Sequence, residues 1–408
     1  MNPNRALVSA IAAAALVAAA SAQEDPAASQ GITWADLLGA GSKMKLYGFL
    51  RLDTMYDDSR MNDPQIPIWV KSEDPAVAPP IGAGEDDSEF SMSARLTRLG
   101  LDLDGPPVDE MGGCQLGGKI EVDFYNIGLD DSDSRNAIRM RLAYLDLDWG
   151  RWGLLAGQDW DVFSPLYPIV NNDIVMWGAG NTGDRRPQVT ARYQAPSGEN
   201  EILTEFGFAF PGAVGGSTVE GGLRSGEASG QPMWNARIGY HGKTAESSYQ
   251  VGVWGATGQA ELDVPIDGET TFDATIVGLD ARIPLHSDRA WITTEYWLGE
   301  NMSDYRGGIL QGVNPTSGEE IAGSGGFLEL GLQATSSFAL YAGYSRDDPD
   351  NADLDPLQRA DNSIPYLAAR WRFGDVRFGF EYLNWTTEYI DAGDGTADRV
   401  AAWIAYYF

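Results

Sequence analysis

From residue 43 to the C-terminus, apolar residues recur at every second position, segment after segment, and the connections between segments alternate between long and short. A period of two puts apolar side chains on one face of a strand and polar ones on the other. Lys43 to Tyr56 sets Leu46, Gly48, Leu50 and Leu52 against Lys45, Arg51 and Asp53. Between Gly117 and Asn126, Ile120, Val122 and Phe124 oppose Lys119, Glu121 and Asp123. Leu328, Leu330 and Leu332 oppose Glu329, Gly331 and Gln333, and Leu367, Ala369, Trp371 and Phe373 oppose Arg370 and Arg372. The last segment carries Val400, Ala402, Ile404, Tyr406 and Phe408 in one phase. The pattern predicts 16 strands, at 43–56, 91–104, 117–126, 137–149, 152–160, 187–195, 201–210, 232–241, 247–256, 273–284, 289–299, 326–335, 337–346, 363–373, 376–386 and 398–408.

Long connections (57–90, 127–136, 161–186, 211–231, 257–272, 300–325, 347–362 and 387–397) alternate with short ones, the exception being the longer turn 105–116 on the short side. Barrels that cross an outer membrane have short periplasmic turns, long extracellular loops and an even strand number. The expected fold is therefore an all-β, 16-stranded antiparallel transmembrane β-barrel over 43–408. A short periplasmic segment, 23–42, precedes it, and a long third loop is able to fold inward. A soluble β-propeller would repeat every 40–50 residues or so, and no such period is present.

The first 22 residues read as a signal peptide: Arg5 in the n-region, an alanine-rich h-region from Ala6 to Ala20, and the small-x-small site Ala20-Ser21-Ala22. The h-region is shorter than the roughly 20 apolar residues a spanning helix needs, so cleavage before Gln23 is expected. A mean hydropathy of -0.26 suits a barrel, in which only alternate strand residues face lipid. The lone Cys114 has no internal disulfide partner.

The net charge of -31 argues against nucleic acid as a partner. Acids concentrate in the first and seventh loops. The run Asp348-Pro349-Asp350-Asn351-Ala352-Asp353 lacks the glycine and distal glutamate of a calcium loop and reads as solvated charge. No cofactor or metal is expected. Aromatics near strand ends (Trp149, Trp152, Trp291, Trp371 and Tyr406) read as interfacial girdles.

Three motifs carry a resemblance. The chain ends Ala401-Ala402-Trp403-Ile404-Ala405-Tyr406-Tyr407-Phe408; Ala156 to Phe163 (AGQDWDVF) leads into the third loop; and Asn181 to Val189 (NTGDRRPQV) leads out of it. These resemble trimeric outer-membrane porins, the DcaP-like porins most closely. The resemblance implies a homotrimer of water-filled pores in the outer membrane of a diderm bacterium, passing small hydrophilic solutes and narrowed by loop three. It also implies that Tyr406 and Phe408 form the signal read by the barrel-assembly machinery, with the lipid bilayer as the barrel's surroundings.

Selectivity in such a pore comes from its width and from charged side chains at the narrowing. The inward wall candidates are Arg51, Arg98, Arg192 and Arg237, opposed by Asp53, Glu121, Asp123, Glu205 and Glu295. Loop three offers Asp161, Asp173, Arg185 and Arg186. Basic wall residues facing acidic loop residues would set up a transverse field across the water. Each arginine has a second reading, as a cross-strand pair that only stiffens the wall. Arg139 and Arg141 share parity with Leu145 and Leu147, so either a bulge near Ala143 resets the phase or these arginines face outward. Interior arginines favour small anions such as carboxylates, whereas the acids pull towards cations. The rival readings are a plugged or non-conducting structural barrel and, less well supported, an outer-membrane enzyme, for which His241 and His286 lack a convincing partner.

Overall fold

The computed structural model describes residues 41–79, 81–83, 87–125, 136–170, 174–212, 225–243, 248–286 and 289–408. The expected signal peptide, most of segment 23–42 and Asp173 lie outside the described residues. Alternating apolar and polar side chains give β1 (Lys43–Asp57), β2 (Glu89–Ser93), β3 (Arg98–Asp104), β4 (Gln115–Tyr125), β5 (Ala137–Asp148) and β6 (Trp152–Trp160). There follow β7 (Arg185–Ser197), β8 (Asn200–Ala209), β9 (Met233–Lys243), β10 (Ser248–Ile266), β11 (Glu269–His286) and β12 (Ala290–Glu300). The last five are β13 (Ala322–Thr335), β14 (Phe338–Pro349), β15 (Arg359–Phe373), β16 (Val376–Tyr389) and β17 (Ala392–Tyr407).

Each strand pairs antiparallel with its neighbours, and β1 closes the sheet on β17 with Leu50 opposite Tyr406 and Asp53 opposite Trp403. Of the 17 segments, β2 and β3 both pair with β1 and form one wall strand broken by a turn at 94–97, leaving 16 wall strands. Closure removes every sheet edge, which is what allows strands to sit in lipid. The outer face carries the apolar phase: Leu50, Leu52, Ile238, Val253, Leu279, Leu328, Leu367 and Ile404 are exposed. The inner face carries the polar phase, with Arg51, Asp53, Glu121, Asp123, Arg237, Asp280, Glu295 and Glu381 buried.

Several long connections are shorter than the pattern suggests. Strands β10 and β11 continue to a tight turn at Asp267-Gly268, and β16 and β17 to one at Ile390-Asp391, so most of 257–272 and 387–397 is hairpin. Beyond the membrane a strand needs no apolar face, and the periodic signal fades while backbone pairing persists. Trp291 also departs from the girdle reading. It faces the lumen, its ring 5.9 Å from Tyr341 and 5.0 Å from the Arg282 guanidinium. It lies over Gly331 of β13, where a Cβ would strike the ring.

The core is built inside the barrel by loops that fold in. Met61 and Val70 of loop one join Met176 and Ala179 of loop three against Ile364, Tyr366, Leu383 and Trp385. Phe163 of loop three meets Met302 and Tyr305 of loop six on Trp254 and Trp297.

Candidate functional site

Loop three (161–184) crosses the lumen and is stapled to the far wall by its backbone and by the Ser164 hydroxyl. Ser164 Oγ and Leu166 N donate to Glu295 on β12 at 2.5 and 2.7 Å, and Ile169 N donates to Glu329 on β13 at 2.8 Å. Further on, the Gly178 carbonyl accepts from Asn362 at 2.8 Å, the Ala179 carbonyl from Ser345, and the Gly180 carbonyl from Trp297 Nε1 at 2.9 Å. Three buried wall side chains therefore satisfy carbonyls that an inward loop would otherwise leave bare.

Facing loop three on the other side is an arginine cluster. Glu121 pairs with Leu142 and Val122 with Met140, so Arg141 is the extra residue of a bulge. The phase resets there: Ile138 and Met140 point to lipid, Arg139 and Arg141 point inward, and Leu145 points outward again. Arg139 forks onto Asp123 at 2.8 and 2.9 Å; Arg141 donates to Glu121 at 2.7 Å and to Asp123 at 2.8 Å. Arg98 adds an ion pair to Glu121 at 3.5 Å, and Tyr47 donates to the same carboxylate at 3.0 Å. Arg51 holds Asp53 at 2.6 Å and lies 4.2 Å over the Trp403 ring.

Arg185 and Arg186 diverge. Arg186 is buried, with Asp161 at 2.9 Å and Asp304 of loop six at 2.8 Å. It clamps the two ends of loop three to loop six. Burial pushes the Asp161 carboxyl up to about 7, against the pull of Arg186. Burial also acts to raise Asp184, but Arg306, Arg186 and Arg185 together hold it below the ordinary carboxylate range. Arg185 forms no ion pair among the described residues. Its guanidinium lies 4.8 Å over Trp160 and 6.0 Å from the Trp177 ring, within the field of Arg141, Asp184, Arg139 and Asp123.

Of the loop acids expected to face the wall arginines, Asp173 lies outside the described residues, and the described loop-three acids are engaged elsewhere. Asp161 turns into the clamp, and Asp184 is taken by Arg306. Loop three instead offers Tyr167, Ile169 and Val175 to the free space. Arg192 and Arg237 sit elsewhere on the wall, paired with Asp146 and Asp280 at 2.9 and 2.8 Å; Glu205 is 3.8 Å from Arg237. Tyr406 on β17 and Phe408 just beyond it lie exposed, and Phe408 exchanges backbone hydrogen bonds with Gly48.

Between loop three and the wall is a cavity of about 560 Å³, lined by Arg51, Arg98, Arg141, Arg370, Arg372 and Arg377 and, among the described residues, by no carboxylate. Arg370 and Arg372 alternate visibly with apolar residues in the sequence, so their inward phase was legible. Their place beside loop three was not, because it is set by Ile169, whose carbonyl accepts from Arg370 at 2.7 Å.

The closed barrel, its apolar exterior and the inward third loop define an outer-membrane β-barrel of the porin fold. The chain is similar to the outer membrane channel DcaP of Acinetobacter baumannii, with a TM-score of 0.70 and 19% identity over 91% of this chain and 98% of that one. It is also similar to the anion-selective porin of Comamonas acidovorans, with a TM-score of 0.56 and 14% identity over 90% of this chain and 100% of that one. OmpF of Salmonella typhi, solved with daunomycin, shares a TM-score of 0.56 and 12% identity over 90% and 98%. No family model and no curated protein matches the chain.

Proposed function

We propose that this chain is a passive porin of the outer membrane, a homotrimer of the DcaP-like kind, through which small hydrophilic solutes diffuse with a preference for anions. The observation that carries the reading is the arginine-lined cavity beside the stapled third loop. Its lining carries Arg51, Arg98, Arg141, Arg370, Arg372 and Arg377, and the described carboxylates paired with them are Asp53, Glu121, Asp123 and Glu381; six positive charges less four negative leave +2. Low-dielectric walls focus such a charge onto the water between them. Small carboxylates enter that field favourably, and cations meet a barrier. The likeness in fold to a channel and to an anion-selective porin supports the same reading.

Conductance of the purified protein in a planar bilayer, with reversal potential under a salt gradient, tests it. Stepwise openings with a reversal potential of anion-selective sign are expected. A correctly folded barrel giving no steps would instead establish the plugged barrel.

A further inference from the structure

Loop three is not alone in the lumen. Residues 61–70 of loop one form a small hairpin, with Met61 bridged to Val70 and Asn62 N donating to the Trp69 carbonyl at 2.9 Å. Its tip satisfies its own backbone. The Asp63 carboxylate accepts from Gln65 N and Ile66 N at 2.8 and 2.9 Å, and Asn62 Oδ1 accepts from Ile68 N and Trp69 N at 2.6 and 2.9 Å. A turn whose donors are closed in this way can enter a packed interior. The wall holds the hairpin from one side. Arg95 donates to Gln65 Oε1 at 2.9 Å, Arg399 to the Pro64 carbonyl at 2.8 Å and Tyr389 to the Val70 carbonyl at 2.6 Å, while Val70 N donates to Thr387 at 2.9 Å.

The other side of the hairpin lies on loop three. Ile66 and Ile68 pack on Ile174, Val175 and Trp177, and Gly178 comes so near Ile68 that a Cβ there would strike it. Val175 also lines the cavity, so loop one stands one side chain behind the pore lining. Asn362 of β15 ties the two loops together: its Nδ2 donates to the Ile68 carbonyl at 2.6 Å and to the Gly178 carbonyl at 2.8 Å, and its Oδ1 accepts from Thr387 at 2.9 Å.

We infer that loop one is a working part of the constriction: it presses loop three into the lumen, and the two loops together set the largest solute that crosses. This rests on the porin reading and deepens it. Glu295 and Glu329 anchor loop three only at Ser164, Leu166 and Ile169. At Val175 the backing comes from Ile66 and Ile68, and close-packed side chains yield little under load.

The test uses the full-length purified protein, in planar bilayers for single-channel conductance and in liposomes for swelling rates with neutral sugars from a pentose to a trisaccharide. Neutral solutes keep the arginines out of the measurement. Ile66→Ala with Ile68→Ala removes the backing and leaves loop three and the wall unaltered. Gln65→Ala with Tyr389→Phe loosens loop one from the wall and, among the described residues, changes no group bonded to loop three. Folding of each is checked by its migration on an unheated gel. Both double variants should raise the ratio of large-sugar to small-sugar rates by about twofold or more, and the conductance with it, because size selection falls on the narrowest ring. Folded variants whose size ratio is that of the wild type, or lower, would overturn the inference and leave loop one as filling, with the porin reading intact. Neither steps nor swelling from the folded wild type would overturn both.

Discussion

Arg185 and Arg186 are adjacent in the chain and have opposite work. Arg186 is a buried member of a cluster with Asp161, Asp304, Asp184 and Arg306, and removing it takes away the cation paired with Asp161 and Asp304. Breaking a buried pair from one side costs about 3–5 kcal/mol. Arg186→Ala should lower the temperature at which the folded gel band converts to the unfolded one, and loop three should become cleavable by protease at low concentration. Arg185→Ala, with no ion pair to lose, should shift that temperature far less. The parity of these residues was readable beforehand, but their division of labour was not, because Asp304 lies 118 residues from Arg186. A second residue-scale prediction concerns Gly379, over which the Trp403 ring lies so closely that a Cβ would enter it. Gly379→Ala should push Trp403, and the Arg51 guanidinium resting on it, into the cavity, and single-channel conductance should fall without loss of the folded band.

At the scale of elements, loop three behaves as a strap held at several points rather than a free lid. Its first half hangs on Glu295 and Glu329, each accepting a backbone N–H from the loop. The double variant Glu295→Ala, Glu329→Ala removes both anchors and leaves the clamp at Arg186 intact. It should give larger, noisier openings, measured as the spread of single-channel current levels. Unchanged, quiet openings would mean that the second half of the loop, held by Ser345, Asn362 and Trp297, fixes it alone. The strands themselves were largely legible, since all 16 expected segments have a counterpart in the wall. What alternation could not convey was where a strand ends once it leaves the bilayer, as in β10 and β11, or where a turn interrupts one, as between β2 and β3. It also could not assign the acids of an inward loop, because period-two logic applies only to the wall.

At the scale of the whole molecule, a chain with 59 acidic and 28 basic residues surrounds a constriction whose local balance is positive. The two act over different ranges. Charges at loop tips are screened within a Debye length of about 10 Å at 0.1 M salt and 3 Å at 1 M, whereas the arginines act on an ion already between low-dielectric walls. Carboxylic acids in water lose their charge as the pH falls through about 4, whereas a guanidinium in water keeps its charge. If the constriction sets selectivity, the reversal potential should be anion-selective at pH 7. It should become more so at pH 4 in 0.1 M salt, as the loop acids at the mouth are neutralised. The same change of pH in 1 M salt should have a much smaller effect, because the loop charges are by then screened from the pore. A pore that selects cations at pH 7 and reverses only on acidification would place control in the acidic loops, and the arginine cluster would then be a stiffening of the wall.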